Sequence, residues 1–178
     1  EAERANKLLN DLLRIAHLET QIGLNKKEKV SLKKLVNETL QSLDPLIQKK
    51  KINMIVKWGQ SNPIITGERF LILQIFENLI LNAIEFSPNE GTILIESLDD
   101  DEFDQIFVRD QGPGIPEYAK DKIFNKFYSL ERPTGVKSTG LGLSFVREAL
   151  SFHNGLIQLE QPSNEMTGAN FKLSFPKS

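Results

Sequence analysis

The sequence predicts an α+β fold, a two-layer α/β sandwich in which helices pack on one face of a mixed sheet, preceded by a helical stub. Apolar residues recur at helical spacing in four segments, 1–20, 32–48, 68–86 and 141–152. Residues typical of strands cluster in five others, 52–58, 92–98, 103–109, 156–161 and 169–175. Because segments of both kinds alternate along one chain with hairpin turns, one sheet with helices on one side is favoured.

Composition and charge exclude several classes of function. The 178 residues suit one domain of ordinary size or one domain with a small appendage, and the net charge of −2 argues against a nucleic-acid partner. The absence of Cys excludes a disulfide scaffold and thiol catalysis, and two His disfavour a multi-His metal centre. No apolar run reaches the roughly 20 residues of a membrane span. Because the chain starts at Glu1 rather than Met, we expect it to be a piece of a longer protein.

The first 20 residues are predicted to form an amphipathic helix, with Leu8, Leu12 and Ile15 on one stripe. A single helix of this length is marginal in water. The stripe therefore needs partner helices, for example from a second copy of the chain, or it lies on its own domain. The polar segment 21–29 is predicted to be a linker, and residues 30–178 a second domain.

The remaining segments of the second domain are shorter. A strand at 30–32 leads into the helix 32–48, which Pro45 is expected to kink or divide. The other predicted pieces are an extended segment at 63–66, a turn at 110–116, a helix at 117–128 and a polar loop at 129–139.

Two amides, Asn78 and Asn82, interrupt the most apolar helix of the sequence. Four residues apart, they stack on one face of that helix, and buried amides need hydrogen-bond partners. An amide oxygen is a ligand that suits Mg²⁺. Amide hydrogen bonds within the fold are the alternative.

Two glycine-containing segments follow. The first, Asp110-Gln-Gly112-Pro-Gly114-Ile115, comes directly after a strand, and its glycines allow the backbone to approach a ligand. Its Asp can accept from a donor such as an exocyclic amine, although a plain Asp-initiated turn has the same pattern. The second, Ser138-Thr-Gly140-Leu-Gly142-Leu143, opens a helix whose free N–H groups suit an anion, or forms a simple loop-to-helix junction.

In this order the three motifs resemble the N, G1 and G2 boxes of the GHKL ATPases, the superfamily of gyrase, Hsp90, sensor histidine kinases and MutL, which share the Bergerat fold. Residues 123–128 resemble the F box of the histidine kinases, and residues 78–88 their N box. The resemblance covers about residues 28–176. Residues 12–19 are similar to the end of the second helix of a dimerisation and phosphoacceptor domain, and the lid sequence at 127–140 is similar to that of CreC-type sensor kinases.

The resemblance implies a site for ATP and Mg²⁺. It assigns Asn82 to the metal and Asn78 to the phosphate end, as the catalytic pair, and Asp110 to the adenine amine. Gly112 and Gly114 are implied to shape the adenine wall, and the N–H groups of Gly140 and Gly142 to face the phosphates. The other residues implied to bind ATP are Glu85, Phe86, Ile115, Phe127, Arg132, Lys137, Thr139, Leu141 and Leu143. Phe124 and Phe127 would anchor a lid over residues 129–139; for Arg132 and Lys137 a solvated loop charge is the alternative.

Two residues depart from the pattern of that family. Glu85 stands where most such kinases have Lys, and Ser138 where the G2 box often has Gly. Positions 78 and 85 of a helix lie only about 20° apart. Glu85 therefore either faces Mg²⁺ beside the two amides or points to solvent at the helix end.

Neither histidine fits the phosphoacceptor of this family. His17 is not followed by the Pro of an H box and lies at the wrong end of the helical domain. His153 follows a helix, whose C-terminal dipole it is expected to complement as a charge. The resemblance therefore implies that the phosphoacceptor His lies outside this chain.

The function implied is that of the catalytic domain of a sensor histidine kinase. The full protein would transfer the γ-phosphoryl of ATP to that His, and then to an Asp of a response regulator receiver domain. The resemblance also implies a homodimer formed through the helical domain, and a cytoplasmic position in a membrane-anchored sensor. A nucleotide-dependent binding switch of the anti-sigma type and a pseudokinase are the alternatives.

Overall fold

The computed structural model describes residues 1–21, 23–59, 62–135 and 137–177. The helices of these residues are α1 (Ala2–Thr20), α2 (Leu32–Lys50), α3 (Arg69–Phe86) and α4 (Gly142–Phe152). The strands are β1 (Glu28–Ser31), β2 (Asn53–Lys57), β3 (Ile64–Gly67), β4 (Thr92–Asp99), β5 (Phe103–Arg109), β6 (Leu156–Glu160) and β7 (Asn170–Pro176). No helix among the described residues is long and apolar enough to cross a membrane.

Five strands form a mixed sheet in the order β2-β4-β5-β7-β6, with helices on one face. β2 and β4 are parallel, and the other neighbours are antiparallel. β1 and β3 form a separate antiparallel pair. This architecture confirms the predicted α+β sandwich.

The core lies between this sheet and α3, which packs against α2, α4 and β5. The buried residues of α3 occupy nearly its whole circumference: Leu71, Ile72, Gln74, Ile75, Phe76, Leu79, Ile80, Ala83 and Ile84. Opposite them, the register pairs the buried side chains of Ile95 with Val108 and of Ile106 with Leu173. A helix that is apolar on most sides is stable only when it is enclosed, so α3 is a fixed frame for any polar residue that it carries.

Pro45 does not divide its helix, so of its two expected effects, a kink or a division, the division was wrong. α2 runs from Leu32 to Lys50 with Pro45 inside it. Leu43 and Ile47 on either side of Pro45 are buried in the core, whereas Pro45 and Gln41 are exposed. The carbonyl of Gln41, which loses its helical partner, therefore lies on the side of the helix that water can reach.

The predicted helix at 117–128 was also wrong. Only Glu117–Ala119 form one turn of 3₁₀ helix, and tight turns follow it. Ala119 and Ile123 are buried, but the polar residues between and after them, such as Asp121 and Asn125, favour turns over helix.

The buried apolar residues of α1 lie in its C-terminal half. Ile15 and Leu18 are buried, and α1 contacts α4. The other apolar residues of the stripe are 36–59% exposed: Leu8, Leu9, Leu12 and Leu13. Packing of α1 on its own chain, the alternative given for its apolar stripe, therefore accounts for the burial of Ile15 and Leu18 but not for the four exposed leucines.

His153 is buried and neutral, contrary to the expected charged complement of a helix dipole. Its Nδ1 lies 2.7 Å from the carbonyl oxygen of Ala149, and its Nε2 accepts from the N–H of Glu68 at 3.0 Å. Burial lowers the pKa of His153. A ring nitrogen that accepts a hydrogen bond must be unprotonated, so the ring joins the end of α4 to the residue before α3 as a neutral group.

Lys50 closes the C-terminal end of α3. Its Nζ donates to the carbonyl oxygens of Ile84 at 2.7 Å, Glu85 at 3.0 Å and Ser87 at 2.8 Å. The last carbonyls of a helix have no partner within the helix, and a cation there also complements the helix dipole. The end of α2 therefore holds the end of α3 in place.

We expect Lys50→Met to lower the free energy of unfolding by about 1–3 kcal/mol, because three carbonyl groups lose a charged donor. Lys49→Met is the matched control, since Lys49 is the exposed neighbour on the same helix. Urea denaturation followed by circular dichroism measures both. Equal losses in the two variants would contradict this role of Lys50.

Candidate functional site

A cleft of about 540 Å³ opens between α3, the segment after β5, the loop after residue 128 and the start of α4. Its volume lies within the range of small-molecule sites, roughly 300–1,000 Å³. Twelve of the sixteen site residues predicted from the sequence line it: Asn78, Asn82, Glu85, Phe86, Asp110, Gly114, Ile115, Arg132, Thr139, Gly140, Gly142 and Leu143. The structure thus brings three separate sequence motifs into one concave site.

The other four predicted residues lie outside the lining. Gly112 contacts the site indirectly, because its N–H donates to Asp110 Oδ1. Leu141 is buried in the core. Lys137 is exposed. Phe127 is 61% exposed, which contradicts its expected role as a lid anchor. The ring of Phe124 packs edge-on against that of Phe171, with 6.3 Å between the ring centroids.

Asp110 follows β5 and reaches the cleft from the centre of the sheet. Its Oδ1 accepts from the N–H of Gly112 at 2.8 Å and from the N–H of Ala169 at 3.2 Å. The side chain is buried, and burial raises the pKa of Asp110 to about 6. Its Oδ2 accepts no hydrogen bond from the residues that the structure describes. One oxygen is therefore fixed by the backbone, and the other is left for a ligand.

Gly168 and Ala169 are site residues that the sequence analysis missed. The N–H of Gly168 donates to the Asp110 carbonyl oxygen at 2.9 Å. A Cβ at Gly168 would lie 1.9 Å from Asp110 Oδ1, so no other residue fits there without a shift of the backbone. The available signal was a Gly directly before a strand, which often marks a close approach of two backbones.

Asn78 contacts the start of α4. Its Nδ2 donates to the carbonyl oxygen of Gln74 at 2.8 Å, one turn earlier in α3. A Cβ at Gly142 would lie 2.9 Å from Asn78 Oδ1. The glycine therefore allows the first turn of α4 to approach the polar face of α3 closely.

Gly140 holds the loop before α4 in a conformation that a side chain would exclude. Its φ is +73°, in the left-handed region that favours Gly. A Cβ there would lie 2.5 Å from the carbonyl carbon of Phe127. Ser138, which departs from the G2 pattern, accepts from the N–H of Gly140 at 3.3 Å and lies 2.7 Å from the hydroxyl of Ser129. Its hydroxyl therefore joins the two ends of the loop.

Glu85 and Arg132 form an ion pair inside the cleft. Arg132 Nε donates to Glu85 Oε2 at 3.0 Å, and Arg132 Nη2 donates to Asn82 Oδ1 at 3.0 Å. The side chain of Arg132 is 6% exposed and that of Glu85 is 29% exposed. Arg132 is therefore not a solvated loop charge, and Glu85 does not point to solvent at the end of the helix.

α1 forms one side of the cleft, which the sequence analysis missed. The residues of α1 that line it are Glu3, Asn6, Lys7, Asn10, Asp11 and Arg14. Asp11 Oδ2 accepts from the hydroxyl of Thr139 at 2.8 Å, and Glu19 forms an ion pair with Lys126. These residues were assigned to a separate domain, and no short-range pattern shows that a helix packs on a distant loop.

Comparison with known proteins identifies the family. The profile of the histidine kinase-, DNA gyrase B- and HSP90-like ATPases matches residues 67–178. The chain belongs to this family. The family is one of ATPases, so the predicted ATP-binding domain is confirmed, and so is the resemblance to sensor histidine kinases.

Two curated relatives illustrate the relationship. The sensor protein CreC of Escherichia coli is 38% identical over 160 residues, which are 88% of this chain and 32% of that protein. Sporulation kinase A of Bacillus subtilis is 32% identical over 177 residues, which are 99% of this chain and 28% of that protein. The chain thus spans about a third of the length of these relatives. The expected similarity to CreC-type kinases is confirmed.

Solved structures give the same result. The catalytic domain of histidine kinase ThkA has a TM-score of 0.75 and 30% identity, covering 86% of this chain and 99% of that domain. ThkA in complex with the response regulator protein TrrA has a TM-score of 0.81 and 27% identity, covering 99% of this chain and 49% of that one. The chain is therefore an ATP-binding catalytic domain of the histidine kinase type, and a binding switch of anti-sigma type is not favoured.

The buried carboxylate of Asp110 gives a stability prediction. Its pKa in the folded protein, about 6, lies above its usual value of 3.8, so the native state binds more protons than the unfolded state between these pH values. The cost of burying the charge is present in full above pH 6 and is lost as the pH falls towards 3.8. Asp110→Asn keeps the oxygen that accepts the two N–H groups and removes the charge.

We therefore expect Asp110→Asn to increase the free energy of unfolding relative to wild type, and by about 1 kcal/mol more at pH 8 than at pH 5. Asp121→Asn, at an exposed position, is the control. Denaturant titrations at the two pH values measure the difference. A gain that does not depend on pH would contradict the assignment of the raised pKa to Asp110.

Proposed function

We propose that the cleft binds ATP together with Mg²⁺, and that the whole protein transfers the γ-phosphoryl group to a His that lies outside this chain. One observation carries the proposal. A single cleft has at one end a buried carboxylate whose Oδ2 accepts no hydrogen bond from the described residues, and at the other end two amides beside glycine N–H groups. These groups are the partners that an exocyclic amine and a triphosphate need.

At the adenine end, Asp110 Oδ2 would accept from the exocyclic amine, while Gly114 and Ile115 form the wall of the cleft. Gly112 supports this from behind, because its N–H fixes Asp110 Oδ1. A Cβ at Gly112 would lie 2.7 Å from the carbonyl oxygen of Phe86. The purine would therefore be selected by one acceptor of fixed position.

The phosphate end fits Mg²⁺ by the chemistry of its donors. Asn82 offers an amide oxygen and Glu85 a carboxylate, which are the hard ligands that Mg²⁺ prefers. No group of three or more His, Cys, Asp or Glu that could hold a metal occurs among the described residues. The protein would thus supply few ligands, and phosphate and water oxygens the rest. The metal would neutralise charge on the phosphates.

The other groups at this end suit positioning of the phosphates. α4 begins at Gly142, so free N–H groups of its first turn lie at the cleft. Asn78 stands opposite them on α3. Phosphoryl transfer needs positioning and charge stabilisation more than covalent chemistry from the protein. Phe127 and Lys137 would reach the nucleotide only if the lid moved.

The partners follow from relatives and from α1. The structure of ThkA with the response regulator TrrA supports a receiver domain as the second acceptor for the whole protein. The exposed leucines of α1 support the division into a helical segment at 1–20, a linker at 21–29 and a catalytic domain at 30–178, with dimerisation through the helical segment. We further propose that the whole protein is a membrane-anchored sensor with this domain in the cytoplasm.

We expect Asp110→Asn to weaken ADP binding about 10- to 100-fold, because an amide N–H₂ would face the adenine amine and a charged hydrogen bond would be lost. Asp121→Asn should leave the affinity unchanged. Isothermal titration calorimetry in excess Mg²⁺ measures both. If the Asp110 variant bound ADP as tightly as wild type, the proposed hydrogen bond between Asp110 and the adenine amine would be contradicted.

We expect γ-labelled ATP to label a separately supplied helical domain that carries an H box, and not this chain itself. The reason is that neither His17 nor His153 fits the acceptor, and His153 is buried. Acid-labile label on this chain that disappears in His17→Ala would contradict the first part. Nucleotide binding without transfer to any H-box domain would favour a pseudokinase.

A further inference from the structure

Arg132 differs from its neighbours in the loop that follows the F box. Glu131, Pro133, Thr134 and Gly135 are all exposed, yet the side chain of Arg132 is 6% exposed. A single buried residue in an exposed loop must be held by specific contacts, since burial of a guanidinium is costly without partners.

All three nitrogens of the guanidinium have partners. Nη2 donates to Asn82 Oδ1 and Nε to Glu85 Oε2, each at 3.0 Å. Nη1 donates to Ser129 Oγ at 3.1 Å and to the carbonyl oxygen of Leu130 at 3.0 Å. The plane also lies over the ring of Phe86, with 4.6 Å between Cζ and the ring centroid. Such a stacked and forked geometry suits Arg and not Lys.

The amide oxygen of Asn82 has two competing uses. In this structure it accepts from Arg132, whereas the proposed function assigns it to Mg²⁺. The oxygen has two lone pairs, but a dication bound to it would lie within a few ångströms of the guanidinium. Like charges at that separation repel strongly in a partly buried site. Arg132 and Mg²⁺ therefore exclude each other at Asn82.

Glu85 faces the same position. Its carboxylate pairs with Arg132 and would attract Mg²⁺ once Arg132 leaves. Residues 78, 82 and 85 lie on one face of α3, whose backbone is fixed by the core. The carboxylate of Glu85 thus stays in place, whether the cation beside it is Arg132 or Mg²⁺.

We propose that Arg132 is a resident cation that occupies the metal position of the nucleotide-free cleft, and that binding of Mg²⁺ with nucleotide displaces it from Asn82 and Glu85. This inference rests on the proposed function. It makes Arg132 a positioning residue that sets how strongly nucleotide affinity depends on Mg²⁺. Because Arg132 must leave before Mg²⁺ can bind, its presence lowers the apparent affinity for the metal. When no metal is bound, the guanidinium instead offsets the negative charge of the phosphates.

The test compares ADP affinity in EDTA with ADP affinity in saturating Mg²⁺, by isothermal titration calorimetry on the whole chain. In Arg132→Ala, metal-free binding should weaken and metal-dependent binding should strengthen. The ratio of the two dissociation constants should therefore rise about tenfold or more above wild type. Lys122→Ala removes an exposed cation that does not line the cleft and should leave the ratio at the wild-type value.

Equal weakening of Arg132→Ala in both buffers would show that Arg132 is a phosphate ligand with no link to the metal, and would overturn the proposal. No change in either buffer would also overturn it. If wild type itself bound no ADP in either buffer, the proposed function would fail, and this inference with it.

A second measurement tests the resident contact without nucleotide. Glu85→Gln should raise amide hydrogen exchange at residues 129–135, because Arg132 loses its anion and the loop its anchor. Glu131→Gln, an exposed acid in the same loop, should not. Unchanged exchange in Glu85→Gln would show that Glu85 does not hold the loop, and would overturn the proposal.

Discussion

The site depends on one constraint, which is the enclosure of α3. Most of its circumference is buried against the sheet and two helices, so the helix cannot rotate to expose a polar residue to water. Asn78, Asn82 and Glu85 must therefore face a cleft or be paired within the fold. Each has such a partner: Asn78 bonds to its own helix, and the other two bond to Arg132. Lys50 closes the last carbonyl groups.

The second half of the site depends on close backbone approaches. Asp110 stands at the end of a central strand, and its Oδ1 is reached by N–H groups on two sides. Those approaches need Gly112 and Gly168, where a Cβ would lie 2.9 and 1.9 Å from that oxygen. The same packing keeps water from the carboxyl group and raises its pKa. The glycines thus fix the position of one acceptor, whose pKa is raised by burial against the opposing effect of the Gly112 and Ala169 N–H groups.

Much of this could be predicted from the sequence, because the signals are local. The periodicity of α3, the Asn pair and the glycine segments each lie within a few residues, and β5 matched its predicted bounds, 103–109. The failures were contacts between distant segments. Nothing near Pro45 shows that its face of α2 is exposed, and nothing near Asp11 shows that it meets Thr139. Gly168 was missed because its partner, Asp110, is 58 residues away.

Two carboxylates of the cleft, Asp110 and Glu85, lie in opposite electrostatic surroundings, and this gives the cleft a direction. Among the described residues, Asp110 has backbone donors and no charged group contributes to its pKa shift, so it suits a neutral hydrogen-bond donor such as an amine. Glu85 is paired with a guanidinium, so its surroundings suit a cation that accompanies phosphate. A ligand with an amine at one end and an anion with its metal at the other fits in one orientation only. The fold sets that orientation, because one carboxylate ends a central strand and the other stands on the enclosed helix.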